Sequence, residues 1–283
     1  MNKKILYSEV GDLQFAKMEF PTWDLFKSLI IEAKQRNFPN SKLGSSPMAC
    51  PDKTPIPVSG TPQLKSIIGG NVFIGIDVPV LLSPKDRVLG KTIIIVGESP
   101  LRNTKDFKNP HDILMGTPFA VHQEFSYPPQ CNVYKKIFRD LLSEGYSIYL
   151  TDIIKVWWQG KKGREMKVND VDKSIFRKEI VKIKSTTKGN LDNEIFIVAW
   201  GKTAENELNK IKEYKNKFKL MLHPGLMNWN NWKLHVFEKA VYDKGVDYAK
   251  NVYPNIGDPT TEVIVANEAV KEILEYCSKT NIK

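Results

Sequence analysis

The feature that most constrains this chain is an uninterrupted apolar run, Ile93-Ile94-Ile95-Val96, that stops at Gly97 and is followed at once by Glu98, Ser99 and Pro100. Successive β-branched residues favour extended backbone and leave no polar face. That is the pattern of a strand covered on both sides. A carboxylate at the carboxyl end of such a strand costs free energy unless it is paired or used. Open α/β sheets bind their ligands at that end of their strands. The plain alternative is a β-turn carrying a solvated Glu98.

The chain on either side supplies partners for this strand. A strand is predicted over Thr92 to Val96, then a long loop from Glu98 to about residue 128, then a helix from Pro129 to Ser143. That helix buries Val133, Ile137, Phe138, Leu141 and Leu142 and is stopped by Gly145. A second strand is predicted from Ser147 to Leu150, a basic and aromatic loop from Trp157 to Lys167, and a helix from Val171 to Lys184. A third strand follows from Glu194 to Ala199, and Gly201 leads into a helix from Thr203 to Tyr214. A fourth strand, Phe218 to Leu222, ends at His223-Pro224-Gly225, and a last helix spans Thr261 to Cys277. Strands alternating with helices imply parallel pairing through right-handed crossovers. The fold expected is a three-layer α/β/α domain over residues 91–283 with a four-stranded parallel sheet.

Residues 1–90 read as an extension packed on that domain. It would hold a helix from Trp23 to Asn37 capped by Thr22, a Pro-, Ser- and Gly-rich loop from Phe38 to Pro62, and one or two short strands between Asn71 and Leu82.

Composition narrows the function classes. The net charge of +10 and pI near 9.3 favour a polyanionic partner, nucleic acid first. No apolar run reaches the length of a membrane span, and the start has no apolar region long enough for a signal peptide, so the expectation is a cytoplasmic protein without a membrane partner. Cys50, Cys131 and Cys277 are too far apart for a zinc ribbon or cysteine-held cluster, so no metal and no cofactor is expected.

In a parallel sheet all carboxyl ends share one edge. Gly97-Glu98-Ser99-Pro100, Thr151-Asp152, Trp200-Gly201 and His223-Pro224-Gly225 would therefore converge, bringing two acids and a histidine together. With these residues in hand, the stretch from Thr92 to Trp232 resembles the uracil-DNA glycosylase superfamily. Gly97-Glu98-Ser99-Pro100 is similar to the first motif in its thermophile-type branch, Gly-Glu-Ala-Pro-Gly. Pro118-Phe119-Ala120-Val121 is similar to Pro-Phe-Val-Gly, whose Phe stacks on the extruded base. Thr151-Asp152-Ile153-Ile154-Lys155 is similar to Thr-Asn-x-x-Lys, whose Asn reads the base edge. Ile197 to Ala204 fits the strand–Gly–Ala step before the following helix. His223-Pro224-Gly225 is similar to the second catalytic motif, His-Pro-Ser, after which the family places a loop that wedges into the duplex.

The departures are specific. The branch it most resembles carries an iron–sulfur cluster whose cysteines are absent here. Ser99 stands where mitochondrial-type enzymes have a water-activating Asp, Asp152 replaces the base-reading Asn, Gly225 replaces Ser, and Leu101 and Val121 replace glycines.

What the resemblance implies is a base-flipping DNA glycosylase acting as a monomer on single- or double-stranded DNA. Its catalytic residues would be Glu98, Asp152 and His223, with Asp106 and Asp112 able to share the water-activating role. Its base pocket would be Gly97, Ser99, Phe119 and Asp152. An ionised Asp152 only accepts hydrogen bonds, so it suits an exocyclic amine better than the uracil carbonyl, whereas a protonated Asp152 would restore a donor. Lys155, Trp158, Lys161, Lys162 and Arg164 would follow the phosphate backbone or stack on bases, and Leu226, Met227 and Asn228, with Trp229, would form the wedge. The same residues admit plainer roles: a core Phe119, an exposed hairpin at Trp157 to Lys167, and a wedge loop that merely anchors to the core. The alternative reading is a catalytically silent module on the same fold that binds DNA or a nucleotide. A Rossmann-like chain matching by chance is the third.

Overall fold

The computed structural model describes residues 3–7, 73–77, 79–84, 91–100, 113–116, 118–120, 129–160, 163–165, 173, 176–177, 179–180, 194–224, 231–232, 234–235 and 261–280. The predicted helix from Trp23 to Asn37, the loop from Phe38 to Pro62, and Asp106, Asp112, Val121, Lys161, Lys162 and Gly225 to Trp229 lie outside the described residues.

The strands are β1 (Lys3–Tyr7), β2 (Phe73–Asp77), β3 (Val80–Pro84), β4 (Lys91–Gly97), β5 (Ile113–Gly116), β6 (Ser147–Asp152), β7 (Val156–Gly160), β8 (Gly163–Glu165), β9 (Glu194–Trp200) and β10 (Lys219–Met221). The helices are α1 (Pro129–Ser143), α2 (Lys202–Asn209) and α3 (Thr261–Thr280). A six-stranded sheet runs in the order β1-β3-β6-β4-β9-β10. Within it β6, β4, β9 and β10 are parallel; beyond β6, β3 pairs antiparallel with β6 and β1 antiparallel with β3. The chain is a mixed α/β protein, and the anticipated parallel strands form one side of a wider sheet, with β10 at its edge.

The isoleucine run is β4, flanked by β6 and β9, and Ile93, Ile94, Ile95 and Val96 are all fully buried. Burying each such side chain stabilises by roughly 1.5–3 kcal/mol before chain entropy is subtracted. Alternate residues serve opposite faces. Ile94, Val96, Ile197 and Ala199 join Phe176, Ile180, Ala204, Leu208 and Ile211 in one cluster, which packs α2 and the helical residues Phe176 and Ile180 on that face. On the other face Phe138 of α1 stacks on Trp200 at 6.0 Å, and Tyr276 of α3 meets Phe196 edge-on at 6.1 Å.

The stretch from Glu98 to about residue 128, read as one long loop, contains β5 and a 3₁₀ turn at Pro118–Ala120. Two further findings differ from the sequence reading. The stretch Trp157 to Lys167, read as a basic loop, contains the antiparallel hairpin β7–β8, with Gly160 opposite Gly163, in a second sheet ordered β5-β2-β7-β8. Trp157 in that hairpin is fully buried, so it is core and not a stacking platform. The strands of the stretch read as an extension also divide. β3 and β1 join the main sheet, whereas β2 joins the second one.

The two sheets share a bent ribbon. β2 followed by β3 runs antiparallel to β6 followed by β7 throughout. Val80 pairs with Leu150 and Ile76 with Val156, so between those pairs the β6–β7 side carries two more residues than the β2–β3 side. The longer side bulges, and a bulge re-aims side chains. Asp152 lies in it.

Candidate functional site

The site is built on one rung at the carboxyl edge of the parallel strands. Gly97 pairs with Asp152, Met221 pairs with Trp200, and Val96 pairs with Ala199 one step earlier, so Asp152, Gly97, Trp200 and Met221 stand in line across four strands. Residues on one rung present side chains to the same face. The missing side chain at Gly97 leaves room there. A Cβ at that position would lie 2.4 Å from Asp152 Oδ1 and 3.1 Å from Phe119 Cζ. An added Cβ would force the Asp152 carboxylate or the Phe119 ring to move. The ladder continues past the strand ends, where Ile153 N donates to Gly97 O and Ile154 N to Glu98 O, both at 3.0 Å. Glu98 and Ser99, both partly buried, are thereby held at the same edge.

Phe119 reaches this rung from a short 3₁₀ turn, Pro118–Ala120, with left-handed backbone angles (φ 57, ψ 22). For a bulky residue that conformation costs about 1–3 kcal/mol and persists only where its surroundings enforce it. Here the surroundings are aromatic. The Phe119 ring lies 4.8 Å from Trp200, 5.4 Å from Tyr134, 6.0 Å from His223 and 6.1 Å from Phe138, centroid to centroid.

His223 follows β10. Gly201 turns the chain from β9 into α2 with φ 99, which a residue with a side chain would adopt only under strain, and its own N–H donates to Met221 O at 3.0 Å. A Cβ on Gly201 would lie 3.9 Å from His223 Cβ, so the two strand ends meet there. Burial pushes the imidazole down from its usual value to about 4, although the residue keeps some solvent access, and the ring is neutral at ordinary pH. Its Nδ1 lies 3.4 Å from the Tyr134 hydroxyl.

Gly97, Asp152, Phe119 and His223 are thus brought together, with Glu98 and Ser99 at the adjoining strand end. Lys155 is not at the surface. Its Nζ donates to Glu179 Oε2 at 2.8 Å, Glu179 Oε1 at 2.9 Å and Thr151 Oγ1 at 2.6 Å, and its side chain is 1% exposed. A cation spent on a buried carboxylate does not hold a phosphate, so Lys155 leaves the set of expected DNA contacts. Trp158 and Arg164 have their backbones in β7 and β8, and their side chains fall outside the description. Lys161, Lys162, Leu226, Met227 and Asn228 lie outside the described residues.

The sequence reading did not assign Tyr134 or Phe138 to the site, and it placed Trp200 at this edge without giving its side chain a role. Phe138 looked like helix core. The usable signal was the spacing of Tyr134 and Phe138, which places both rings on one side of α1. Among the described residues no group of three or more His, Cys, Asp or Glu is arranged to hold a metal, and no helix is long and apolar enough to cross a membrane.

Chemically, the arrangement offers a planar apolar surface in Phe119, an acceptor in Asp152 and a neutral imidazole that can donate one hydrogen bond. These are groups suited to a flat heterocycle that carries both donors and acceptors. No protein-family model matches this chain, and no curated protein sequence matches it.

Proposed function

We propose that this protein is a DNA N-glycosylase of the uracil-DNA glycosylase type: it draws a base out of the stack and hydrolyses its N-glycosidic bond. The observation that carries the reading is the meeting of Gly97, Asp152, Phe119 and His223 at one strand edge, although they come from four separate stretches of the chain. The order β6-β4-β9-β10 supports it, because it sets all four parallel strand ends along that edge.

In this reading the extruded base stacks on Phe119. Asp152 accepts from the base edge, which favours an exocyclic amine over a carbonyl. Breaking the bond leaves negative charge on the base and positive charge on the sugar. His223, neutral, donates a hydrogen bond to the base as that charge grows, and a donor set in place beforehand acts mainly in the transition state. Glu98 positions the attacking water. The chain's charge of +10 supplies attraction for the polyanion.

The experiment is a screen of single- and double-stranded oligonucleotides carrying varied bases, read as abasic-site formation. Product from at least one amine-bearing base, and its loss in His223→Ala, is the expected result. Oligonucleotide binding with no abasic product from any base would point instead to a silent binding module.

A further inference from the structure

A neutral imidazole carries its proton on one nitrogen and a lone pair on the other, and the partner of one nitrogen decides what the other presents. Burial keeps His223 neutral at ordinary pH, so its tautomer decides whether it can donate. The group beside Nδ1 is the Tyr134 hydroxyl, at 3.4 Å. That is the long end of hydrogen bonding.

Tyr134 is well placed to control this nitrogen. It is 7% exposed, its ring lies 5.8 Å from Trp200 at 25°, and it meets the imidazole edge-on, at 5.8 Å and 79°. Packing in α1 therefore fixes where the hydroxyl sits, and only its hydrogen is free to turn. If the hydroxyl donates to Nδ1, the proton must be on Nε2. If Nδ1 donates instead, Nε2 is a lone pair, which would repel the negative charge of a departing base.

We propose that Tyr134 is a positioning residue that donates to His223 Nδ1 and holds the ring in its Nε2–H form, so that the site presents a donor. The tautomer assignment stands on the Tyr134–His223 geometry, and its role in bond breaking rests on the glycosylase reading.

The test is nitrogen NMR of imidazole-labelled full-length protein, with the His223 signals identified by their absence in His223→Gln. In the wild type the Nε2–H form should dominate. In Tyr134→Phe the Nδ1–H form should become populated, while the thermal midpoint stays close to wild type. In the abasic-site assay Tyr134→Phe should lower kcat about three- to tenfold with KM unchanged, the size of one lost hydrogen bond. A wild type in the Nδ1–H form, or a tautomer ratio unmoved by Tyr134→Phe, would overturn the assignment. Absence of abasic product from the wild type would overturn the catalytic role and the glycosylase reading together, while the NMR would still decide the tautomer.

Discussion

Thr151 and Asp152 are neighbours in sequence and point to opposite sides of the same strand end, and the two sides are built differently. Behind the strand, Thr151 Oγ1 donates to Glu179 Oε2 at 2.9 Å while Lys155 bonds both, so opposite charges cancel within a closed and buried group. In front, Asp152 shares its rung with Gly97 and Trp200 beneath Phe119, whose backbone is strained, and beside a histidine whose pKa is depressed. The rear arrangement satisfies its polar groups and fixes the bulge. The front holds a strained backbone at Phe119 and a buried, neutral imidazole. That contrast separates what holds the edge in place from what the edge is for.

The largest expected effect comes from breaking the rear group. Lys155→Met or Glu179→Leu alone should cost about 3–5 kcal/mol of unfolding free energy in a denaturant titration, because each leaves a buried charge uncompensated. The double substitution should recover most of that loss, since a packed apolar pair replaces both charges. A single substitution costing under about 1 kcal/mol would mean that the pair is not the staple it is taken for.

The front should respond differently. Gly97→Ala forces a methyl group against Asp152 Oδ1 and the Phe119 ring. Overpacking of this kind costs about 1–3 kcal/mol. Binding of a base-modified oligonucleotide should suffer more than stability does, and equal losses in both would blur the contrast between front and back.

A smaller effect, reduced by partial solvent access, follows from His223. Its folded pKa of about 4 lies below the ordinary value near 6.5. Between those values the unfolded chain takes up a proton that the folded protein refuses, so the contribution to stability is complete above about pH 6.5 and is lost as pH falls toward 4. His223→Gln should flatten the slope of unfolding free energy against pH in that window. An unchanged slope would mean the imidazole is not desolvated.

Much of this was legible before the structure. The helix predicted from Pro129 to Ser143 is α1 with those bounds, because apolar spacing and the turn at Gly145, which has φ 93, mark it clearly. The strands at 92–96 and 194–199 were equally plain, being almost wholly apolar after Thr92 and Glu194. α2 ends earlier than its pattern suggested. After Asn209 the chain turns, and the Asn209 side chain accepts from Asn216 N at 3.2 Å.

Lys155 was misread because its partner Glu179 lies in another element, and a lysine after Ile153-Ile154 looks like a surface cation until that partner is known. The hairpin at Val156 to Glu165 entered the sequence reading only as the plainer alternative to a DNA-contacting loop, because its glycines and lysines resemble loop composition. The front of the site was readable where a motif ended a strand, at Gly97, Asp152 and His223. It was not readable where a helix supplied the wall, since nothing local links Tyr134 to a histidine 89 residues away.

In the proposed glycosylase, Asp152 reads a base at this edge. The most direct test is a competition between uracil-containing and amine-bearing oligonucleotides, scored as abasic-site formation by wild type and Asp152→Asn. The wild type should prefer the amine-bearing base. Asp152→Asn, which restores a donor, should move preference toward uracil by roughly ten- to a hundredfold, the equivalent of about 1–3 kcal/mol for one buried polar mismatch. A wild type that prefers uracil, with that preference unchanged in Asp152→Asn, would contradict the account.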